Sequence, residues 1–225
     1  MRSCVFYSGG KDSYYALQLA ILNAQDLYVL TVLPEEEYDD IYHYPNVKFT
    51  TLQLKQLGIP ERRHFFIKRD EDKISDFLFK KEIEMIYTGG IQSDYQRFYF
   101  YGIANELGIA IRNPLWLKYE INGNYYNELR SYIKVIFTRL SAMGLEEDLL
   151  GKVVDFNLLT NRISRNKLNI HPLFEGGEAE TFVLDSPFFR NSLELSEYEV
   201  LKEKQSFTLL IKRLKEVPKE ETKNI

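Results

Sequence analysis

The chain has 225 residues, of which 44% are hydrophobic and 28% are charged. This balance is typical of a soluble globular protein that can bury a core without disulfide or metal staples. The net charge is −4 and the basic residues are scattered along the chain, which argues against direct binding of nucleic acid. The single cysteine, Cys4, excludes a disulfide within the chain and a zinc site built from thiolates.

No signal peptide is expected before the first apolar run, and no apolar stretch approaches the ~18 residues that a membrane-spanning helix needs. We therefore expect a cytoplasmic protein without a membrane partner. The composition leaves open whether the chain forms a homodimer.

In the first half of the chain, short apolar runs alternate with stretches of helical periodicity. Strands are predicted at Ser3–Tyr7, Leu27–Leu33, Arg63–Ile67, Met85–Thr88 and Ile109–Ile111. Helices are predicted at about 12–24, 46–57, 71–82 and 92–107. Strands that alternate with helices at this spacing indicate an α/β fold with a doubly wound parallel sheet covered on both faces.

The alternation ends at Asn113-Pro114. Beyond it the predicted elements are a helix at 125–132, a strand at Ile133–Thr138, helices near 146–150 and 155–165, and strands at Thr181–Leu184 and Phe207–Lys212. This order predicts a second, smaller α+β domain. The expected division is 1–118 for the first domain and 119–225 for the second, which ends in a charged tail.

Residues 8–13 read Ser-Gly-Gly-Lys-Asp-Ser and are called the SGGKDS loop below. The loop joins the first predicted strand to the first predicted helix, where adjacent glycines and a helix N-terminus present N–H groups to an anion. The glycine spacing excludes the G-x-x-x-x-G-K-[ST] loop. Asp12 would repel a phosphate, so it is expected to cap the helix or to bind Mg²⁺ carried by a nucleotide.

The SGGKDS loop resembles the S-G-G-x-D-S loop of N-type ATP pyrophosphatases, the PP-loop superfamily, which cleave ATP between the α- and β-phosphates. Further segments narrow the resemblance to the diphthine–ammonia ligase family. These segments are "YHYPN" at 42–46, "TGGIQSDYQRF" at 88–98, "NPLW" at 113–116, "SAMGLEEDLLGKVVD" at 141–155 and "HPLFEGGEAETFVLDSPFF" at 171–189. Residues 175–178 are called the EGGE loop below.

The resemblance implies a five-stranded sheet of order 3-2-1-4-5, of the adenine nucleotide alpha hydrolase type, followed by a substrate-binding domain. It also implies ATP and Mg²⁺ as cofactors and two partners, ammonium and translation elongation factor 2. The expected reaction is the amidation of the factor's diphthine residue through an acyl-adenylate, with release of AMP and pyrophosphate. Two alternatives stay open: a superfamily enzyme that adenylates another carboxylate or tRNA, and a non-catalytic nucleotide-binding module.

Loops after strands one and four flank the crevice of such a sheet, which places two segments near the ATP. The predicted ATP-binding residues are Ser8, Gly9, Gly10, Lys11, Asp12, Ser13, Gly89 and Gly90. The predicted catalytic residues are Lys11, Asp12, Arg97, Glu178 and Glu180. The predicted substrate-binding residues are His43, Asn46, Tyr95, Gln96, Arg97, Trp116, Glu175, Gly176, Gly177, Glu178 and Thr181.

Each of these assignments has a structural alternative. Three glutamates beside two glycines suit ammonium, Mg²⁺ or the trimethylammonio group of diphthine, but they could also form a solvated turn. His43 could serve only as a hydrogen-bonding residue and Asn46 only as a helix cap. Gln96 and Arg97 could be exposed polar positions of a helix.

The chain departs from the family pattern at a few places. Phe174 stands where the family usually has a glycine, and Ala179 replaces an aromatic residue between the glutamates. Leu117 begins a segment that lacks the usual Gly-Arg-Asp-like run after the P-L-W motif. These departures lie beside the expected substrate site, so they bear on substrate details more than on the SGGKDS loop.

Overall fold

The computed structural model describes residues 1–34, 46–117, 132–156, 159, 161, 163, 170–171, 173–204 and 206–219. These residues form a five-stranded sheet and a four-stranded sheet. No helix in the described ranges is long and apolar enough to cross a membrane. The predicted boundary at 118/119, and most of the predicted helices at 125–132 and 155–165, lie outside the described residues.

The first sheet is parallel throughout and has the predicted order β3-β2-β1-β4-β5. Its strands are β1 (Arg2–Phe6), β2 (Asp26–Leu33), β3 (His64–Lys68), β4 (Met85–Tyr87) and β5 (Ala110–Arg112). The connecting helices are α1 (Lys11–Asn23), α2 (Thr50–Gln56), α3 (Glu71–Lys80) and α4 (Asp94–Leu107). A 3₁₀ turn at Asn46–Phe49 precedes α2. The ends of every predicted strand and helix of this half are confirmed to within two residues. The one difference is that the helix predicted at 46–57 consists of the 3₁₀ turn followed by α2.

Local signals in the sequence explain where these helices begin and end. Asp70 caps α3 by accepting a hydrogen bond from the Lys73 N–H at 3.0 Å, and Ser93 caps α4 in the same way. Gly108 ends α4 with a φ of +63°, in the left-handed region that glycine adopts at no steric cost. The Ser93 cap therefore fixes the residue at which the β4–α4 connection ends and α4 begins.

Alternate residues of β1 point into two separate apolar clusters. Cys4 and Phe6 pack with α3 and α4 on one face of the sheet. Val5 faces the other cluster, which also contains Phe137 and Phe182 of the second sheet. Because this second cluster is shared, the two sheets form one continuous core.

The second sheet is antiparallel and has the order β7-β6-β9-β8. Its strands are β6 (Lys134–Leu140), β7 (Ala179–Asp185), β8 (Asn191–Lys202) and β9 (Phe207–Pro218). Strand β8 was not predicted, and β9 runs twice as far as predicted. The predicted helix near 146–150 is a single 3₁₀ turn at Glu147–Leu149.

Three polar side chains at and before α2 fasten the two sheets together. The Asn46 amide donates to the Leu209 carbonyl oxygen at 2.7 Å and accepts from the Ile211 N–H at 2.8 Å. Gln53 and Gln56 make further bonds to the second sheet, described below. Asn46 therefore holds β9 and is not the cap of α2, which is Phe49; its predicted role in substrate binding stays a prediction.

Candidate functional site

A cavity of about 620 Å³ lies between the carboxyl end of the parallel sheet and the β6–β7 side of the second sheet. The SGGKDS loop and the β4–α4 connection form one wall, and the EGGE loop with β6 and β7 forms the other. The residues of these two segments on the first wall are Ser8, Gly10, Lys11, Asp12, Ser13, Thr88, Gly89, Gly90, Ser93, Tyr95 and Gln96. The residues on the second wall are Arg139, Ser141, Phe174, Glu175, Gly176, Gly177, Ala179, Glu180 and Thr181. The two loops that the sequence analysis singled out therefore face each other.

The SGGKDS loop is organised by hydrogen bonds within itself. Helix α1 begins at Lys11 with Gly10 as its N-cap, so Asp12 lies in the first turn; the expectation that Asp12 caps the helix is wrong. The Ser8 N–H donates to Ser13 Oγ at 3.2 Å, and Ser13 Oγ donates to the Gly10 carbonyl oxygen at 3.1 Å. These bonds keep the start of α1 directed at the cavity.

Glycine is required at two positions in and beside this loop, because other atoms lie where a Cβ atom would be. Gly9 has a φ of +86°, and a Cβ on it would lie 2.8 Å from Gln53 Oε1. A Cβ on Gly89 would lie 2.6 Å from the Ser13 nitrogen. The β4–α4 connection can rest on the first turn of α1 only because position 89 has no side chain.

Lys11 is almost fully buried, with 3% of its surface exposed. Its ammonium group forms an ion pair with Asp12 Oδ2 at 2.5 Å and donates to the Leu173 carbonyl oxygen at 2.9 Å. The same group lies 5.7 Å from the centre of the Phe174 ring. The Lys11 N–H also donates to Thr181 Oγ1 at 3.2 Å. The SGGKDS loop is thus bonded to both ends of the segment 173–181.

Phe174 adopts a backbone conformation that is rare for a residue with a side chain. Its φ is +64°, in the left-handed region that costs an L-residue roughly 1 kcal/mol. The buried ring packs edge-on against Phe137 with centroids 5.3 Å apart. The position at which the family usually has a glycine therefore keeps the glycine-like backbone but carries an aromatic ring.

Glu175 sits at the entrance of the EGGE loop and faces Asp12 across the cavity. Burial, and secondarily the negative charge of Asp12, raises the pKa of Glu175 to about 7, although Lys11 and a bond from the Gln92 N–H at 3.1 Å oppose the shift. The carboxylates of Asp12 and Glu175 both line the cavity, which makes this part of it suited to receive a cation. Among the described residues no group of three or more His, Cys, Asp or Glu side chains could hold a metal.

The side chains of Glu178 and Glu180 have different surroundings. Both oxygens of Glu178 accept main-chain hydrogen bonds, from the His171 N–H at 2.7 Å and from the Gly176 N–H at 2.8 Å. Glu178 does not line the cavity, and its two bonds stabilise the shape of the EGGE loop; the catalytic role predicted for it stays a prediction. Glu180 does line the cavity and lies 3.9 Å from the Arg139 guanidinium.

The predicted residues of α4 divide between two surfaces. Tyr95 and Gln96 line the cavity, whereas the guanidinium carbon of Arg97 lies over the Trp116 ring, 4.5 Å from its centre. Neither Arg97 nor Trp116 lines the cavity, so the structure does not bring them to the other site residues. His43 lies outside the described residues.

Sequence reasoning missed several residues of the site. Arg139 of the second wall lies outside every segment quoted above, and Ser141 opens the segment 141–155 but received no role. His171 was quoted within a motif but received no role; its Nδ1 accepts from the Leu173 N–H at 3.2 Å, and its Nε2 lies 3.0 Å from Gln92 Oε1. His171 therefore ties the β4–α4 connection to the segment that leads into the EGGE loop.

Comparison with known proteins places this arrangement in a family. The model of the diphthamide synthase N-terminal domain matches residues 1–111, and the model of the C-terminal domain matches residues 122–217. The diphthine–ammonia ligase of Homo sapiens is 28% identical, over 89% of this chain and 85% of the relative. The diphthine–ammonia ligase of Schizosaccharomyces pombe is 29% identical, over 86% of this chain but 36% of the relative.

A solved structure described as a predicted subunit of tRNA methyltransferase from Methanocaldococcus jannaschii is also similar, with 14% identity and a TM-score of 0.43. It covers 83% of this chain and 98% of that chain. A likeness at this level supports no conclusion about activity. The two family models together span nearly all of the chain, on both sides of the cavity. The chain belongs to the diphthamide synthase family of enzymes.

Proposed function

We propose that this protein is an ATP-dependent diphthine–ammonia ligase that completes diphthamide on translation elongation factor 2. Residues 1–118 would bind ATP and residues 119–225 the protein substrate. The observation that carries the proposal is that the SGGKDS loop, with Lys11 bonded to Leu173, meets the EGGE loop in one cavity. The names of the relatives supply the substrate class.

The cavity offers distinct surfaces for the parts of a nucleotide. The amides at the start of α1 and the Lys11 ammonium suit the phosphates, because a helix N-terminus favours negative charge. The cavity's apolar part suits a base, since ligand sites combine apolar walls with a few polar groups. Its lining residues are Phe6, Leu30, Val32 and Phe100.

Mg²⁺ fits the same place. Protein sites for Mg²⁺ commonly supply one or two carboxylates and leave the other positions to phosphates and water, and Asp12 is a carboxylate on the cavity wall at the start of α1. The ion would neutralise charge that develops on the phosphates.

The chemistry proceeds in two displacements. An oxygen of the diphthine carboxylate attacks the α-phosphorus of ATP, and the bond to pyrophosphate breaks, which leaves an acyl-adenylate. Ammonia then attacks the acyl carbon, and AMP leaves with the bonding electrons as an amide forms. The main tasks of the protein are alignment and charge neutralisation.

Ammonium must lose a proton before it can attack. Glu175 has a pKa of about 7, near the value that suits a general base at neutral pH, and Glu180 is a second carboxylate on the cavity wall. Glu178 is less suited to this part, because it does not line the cavity and both of its oxygens accept main-chain hydrogen bonds. We assign proton removal to Glu175.

The test is pyrophosphate release by the full chain with ATP, Mg²⁺, ammonium chloride and elongation factor 2 that carries diphthine. Release should require both ammonium and the diphthine residue, and mass spectrometry should find the carboxylate of the factor converted to an amide. ATP binding without turnover under these conditions would instead indicate a nucleotide-binding module. Turnover that depends on ammonium and tRNA, or on another carboxylate, would indicate a different substrate.

A further inference from the structure

We infer that Arg139 binds the carboxylate that is amidated, while Glu180 faces the quaternary ammonium group beside it. The inference rests on the proposed function, and it assigns a substrate-binding role to a residue that none of the sequence motifs includes. The two side chains would thus recognise the zwitterionic head of the substrate, and Arg139 would fix the carboxylate for attack on the nucleotide.

Strand pairing sets the two side chains next to each other. Arg139 of β6 is the register partner of Glu180 of β7. Each side chain is 16% exposed, and both line the cavity. Their closest charged atoms are 3.9 Å apart, which is an ion-pair distance and longer than a hydrogen bond. A planar guanidinium at this distance from Glu180 can still present N–H groups to a second carboxylate.

The position of Arg139 favours a substrate carboxylate over a nucleotide phosphate. Arg139 and Lys11 are the two cationic side chains among the described residues that line the cavity. Lys11 stands at the start of α1, where the helix N-terminus already favours phosphate. Arg139 stands on the opposite wall, in the second sheet. The proposed reaction joins a substrate carboxylate to the α-phosphate of ATP. One cation on each wall can therefore bind one of these two anions.

The chemistry of diphthine fits a pair of opposite charges. Its carboxylate and its trimethylammonio group are attached to the same carbon, so their charges are fixed close together, as those of Arg139 and Glu180 are. Arginine holds a carboxylate with two parallel N–H bonds, which also orients it. Amidation removes the negative charge, so Arg139 would hold the product less firmly than the substrate. The pair would therefore favour both correct alignment and product release.

The experiment compares Arg139→Met with Lys134→Met. Lys134 is also on β6 and forms a cross-strand ion pair, with Asp185 of β7 at 3.7 Å, but it does not line the cavity. In the pyrophosphate-release assay, Arg139→Met should raise the KM for diphthine-bearing elongation factor roughly 10- to 100-fold, the loss expected for a charge-assisted hydrogen bond. The KM for ATP should stay within about threefold, and Lys134→Met should leave both constants unchanged.

Two further variants separate binding from folding. Arg139→Lys should recover part of the lost affinity for the protein substrate, because it keeps the charge without the planar fork. The double variant Arg139→Gln/Glu180→Gln removes both members of the ion pair, so neither is left facing a lost partner; it should fold and still show the raised KM. Thermal unfolding of every variant is the control for stability.

Each outcome has a distinct reading. An unchanged KM for the protein substrate in Arg139→Met and in the double variant overturns the inference, while the proposed function stands. A KM for ATP that rises as much as the KM for the protein substrate also overturns it, since Arg139 would then bind phosphate. A wild-type chain without ammonium-dependent turnover overturns the proposed function itself.

Discussion

The ammonium group of Lys11 donates a hydrogen bond of 2.9 Å to the main-chain oxygen of Leu173, across the junction between the two sheets. The residues are separated by 162 positions in the chain. A cation that belongs to the SGGKDS loop is therefore bonded to the segment that leads into the EGGE loop. The two walls of the cavity are joined at the place where we propose that phosphate binds.

Replacement of Lys11 by methionine should abolish most of the ATP-dependent activity. The side chain keeps its length but loses the charge that would neutralise phosphate, so kcat/KM for ATP should fall about 100-fold or more, as for the loss of an electrostatic catalytic group. Initial rates of pyrophosphate release at several ATP concentrations measure the effect. Thermal unfolding should show that the variant still folds.

Lys55→Met is the matched control for Lys11→Met. Lys55 forms an ion pair with Glu216 at 2.6 Å at the same junction of the two sheets, but it is exposed and remote from the cavity. Its replacement should change kcat/KM for ATP less than about twofold, because surface ion pairs contribute little. Equal losses in the two variants would contradict the phosphate role of Lys11.

Gln53 holds the main chain of the SGGKDS loop by a hydrogen bond to Gly9. Its amide nitrogen donates to the Gly9 carbonyl oxygen at 3.0 Å and to the Val183 carbonyl oxygen at 2.7 Å, and its oxygen accepts from the Tyr7 hydroxyl at 2.7 Å. Gln53→Met removes three buried bonds. We expect a loss of about 2–4 kcal/mol in the free energy of unfolding, together with a higher KM for ATP because Gly9 is no longer held.

Gln56→Met separates the two effects of Gln53→Met. Gln56 is also buried at the junction, where its side chain accepts from the Asn191 N–H at 3.0 Å and donates to Glu216 at 2.9 Å, but it does not contact the SGGKDS loop. Its replacement should lower stability in urea unfolding without a change in the KM for ATP. An unchanged KM for ATP in Gln53→Met would show that Gln53 serves stability alone.

The fold of the first half could be predicted because its signals are local. Buried parallel strands are short apolar runs, and polar caps and glycines mark the helix ends between them. Strand β8 escaped prediction for the opposite reason. It is largely exposed, and its apolar alternation changes phase between Leu195 and Tyr198, where the strand register shifts, so no continuous period of two marks the strand.

The motifs identified the right loops but not the direction of each side chain. Gln96 and Arg97 are neighbours in α4, where successive residues point about 100° apart, so a motif that contains both does not tell which of them faces the cavity; in the structure it is Gln96. Glu178 and Glu180 belong to one motif, yet the first is turned back onto its own loop. Arg139 reaches the site only through its pairing with Glu180, a contact between distant parts of the chain.

Phe174 offers a test of backbone strain beside the cavity. Its φ of +64° suits glycine, so Phe174→Gly should be more stable than Phe174→Ala by roughly 1 kcal/mol, although glycine usually destabilises a folded chain relative to alanine. Both variants lose the contact with Phe137 and should be less stable than the wild type. Urea unfolding of the three proteins gives the order. If Phe174→Ala were the more stable of the two variants, position 174 would not be strained.

Glu175 should make the stability of the chain without nucleotide depend on pH. Because its pKa is raised to about 7 in the folded state from a usual value of 4.5, the folded state holds a proton that the unfolded state has released. Stability should therefore fall as pH rises from about 4.5 to about 7, and the full penalty should persist above pH 7. Glu175→Gln removes this penalty, so it should raise the unfolding temperature at pH 8 and change it little at pH 4.5.

The matched variant for this pH dependence is Glu71→Gln, an exposed glutamate of α3 that is remote from the cavity. Unfolding temperatures of the wild type and both variants at pH 4.5, 6, 7 and 8, without nucleotide, give the comparison. Glu71→Gln should follow the wild type, whereas Glu175→Gln should flatten the decline. Because the charge of Asp12 is a secondary cause of the shift, Asp12→Asn should flatten it in part. Parallel curves for Glu175→Gln and the wild type would show that Glu175 titrates as an ordinary carboxyl, and it would then lose its assignment as the base.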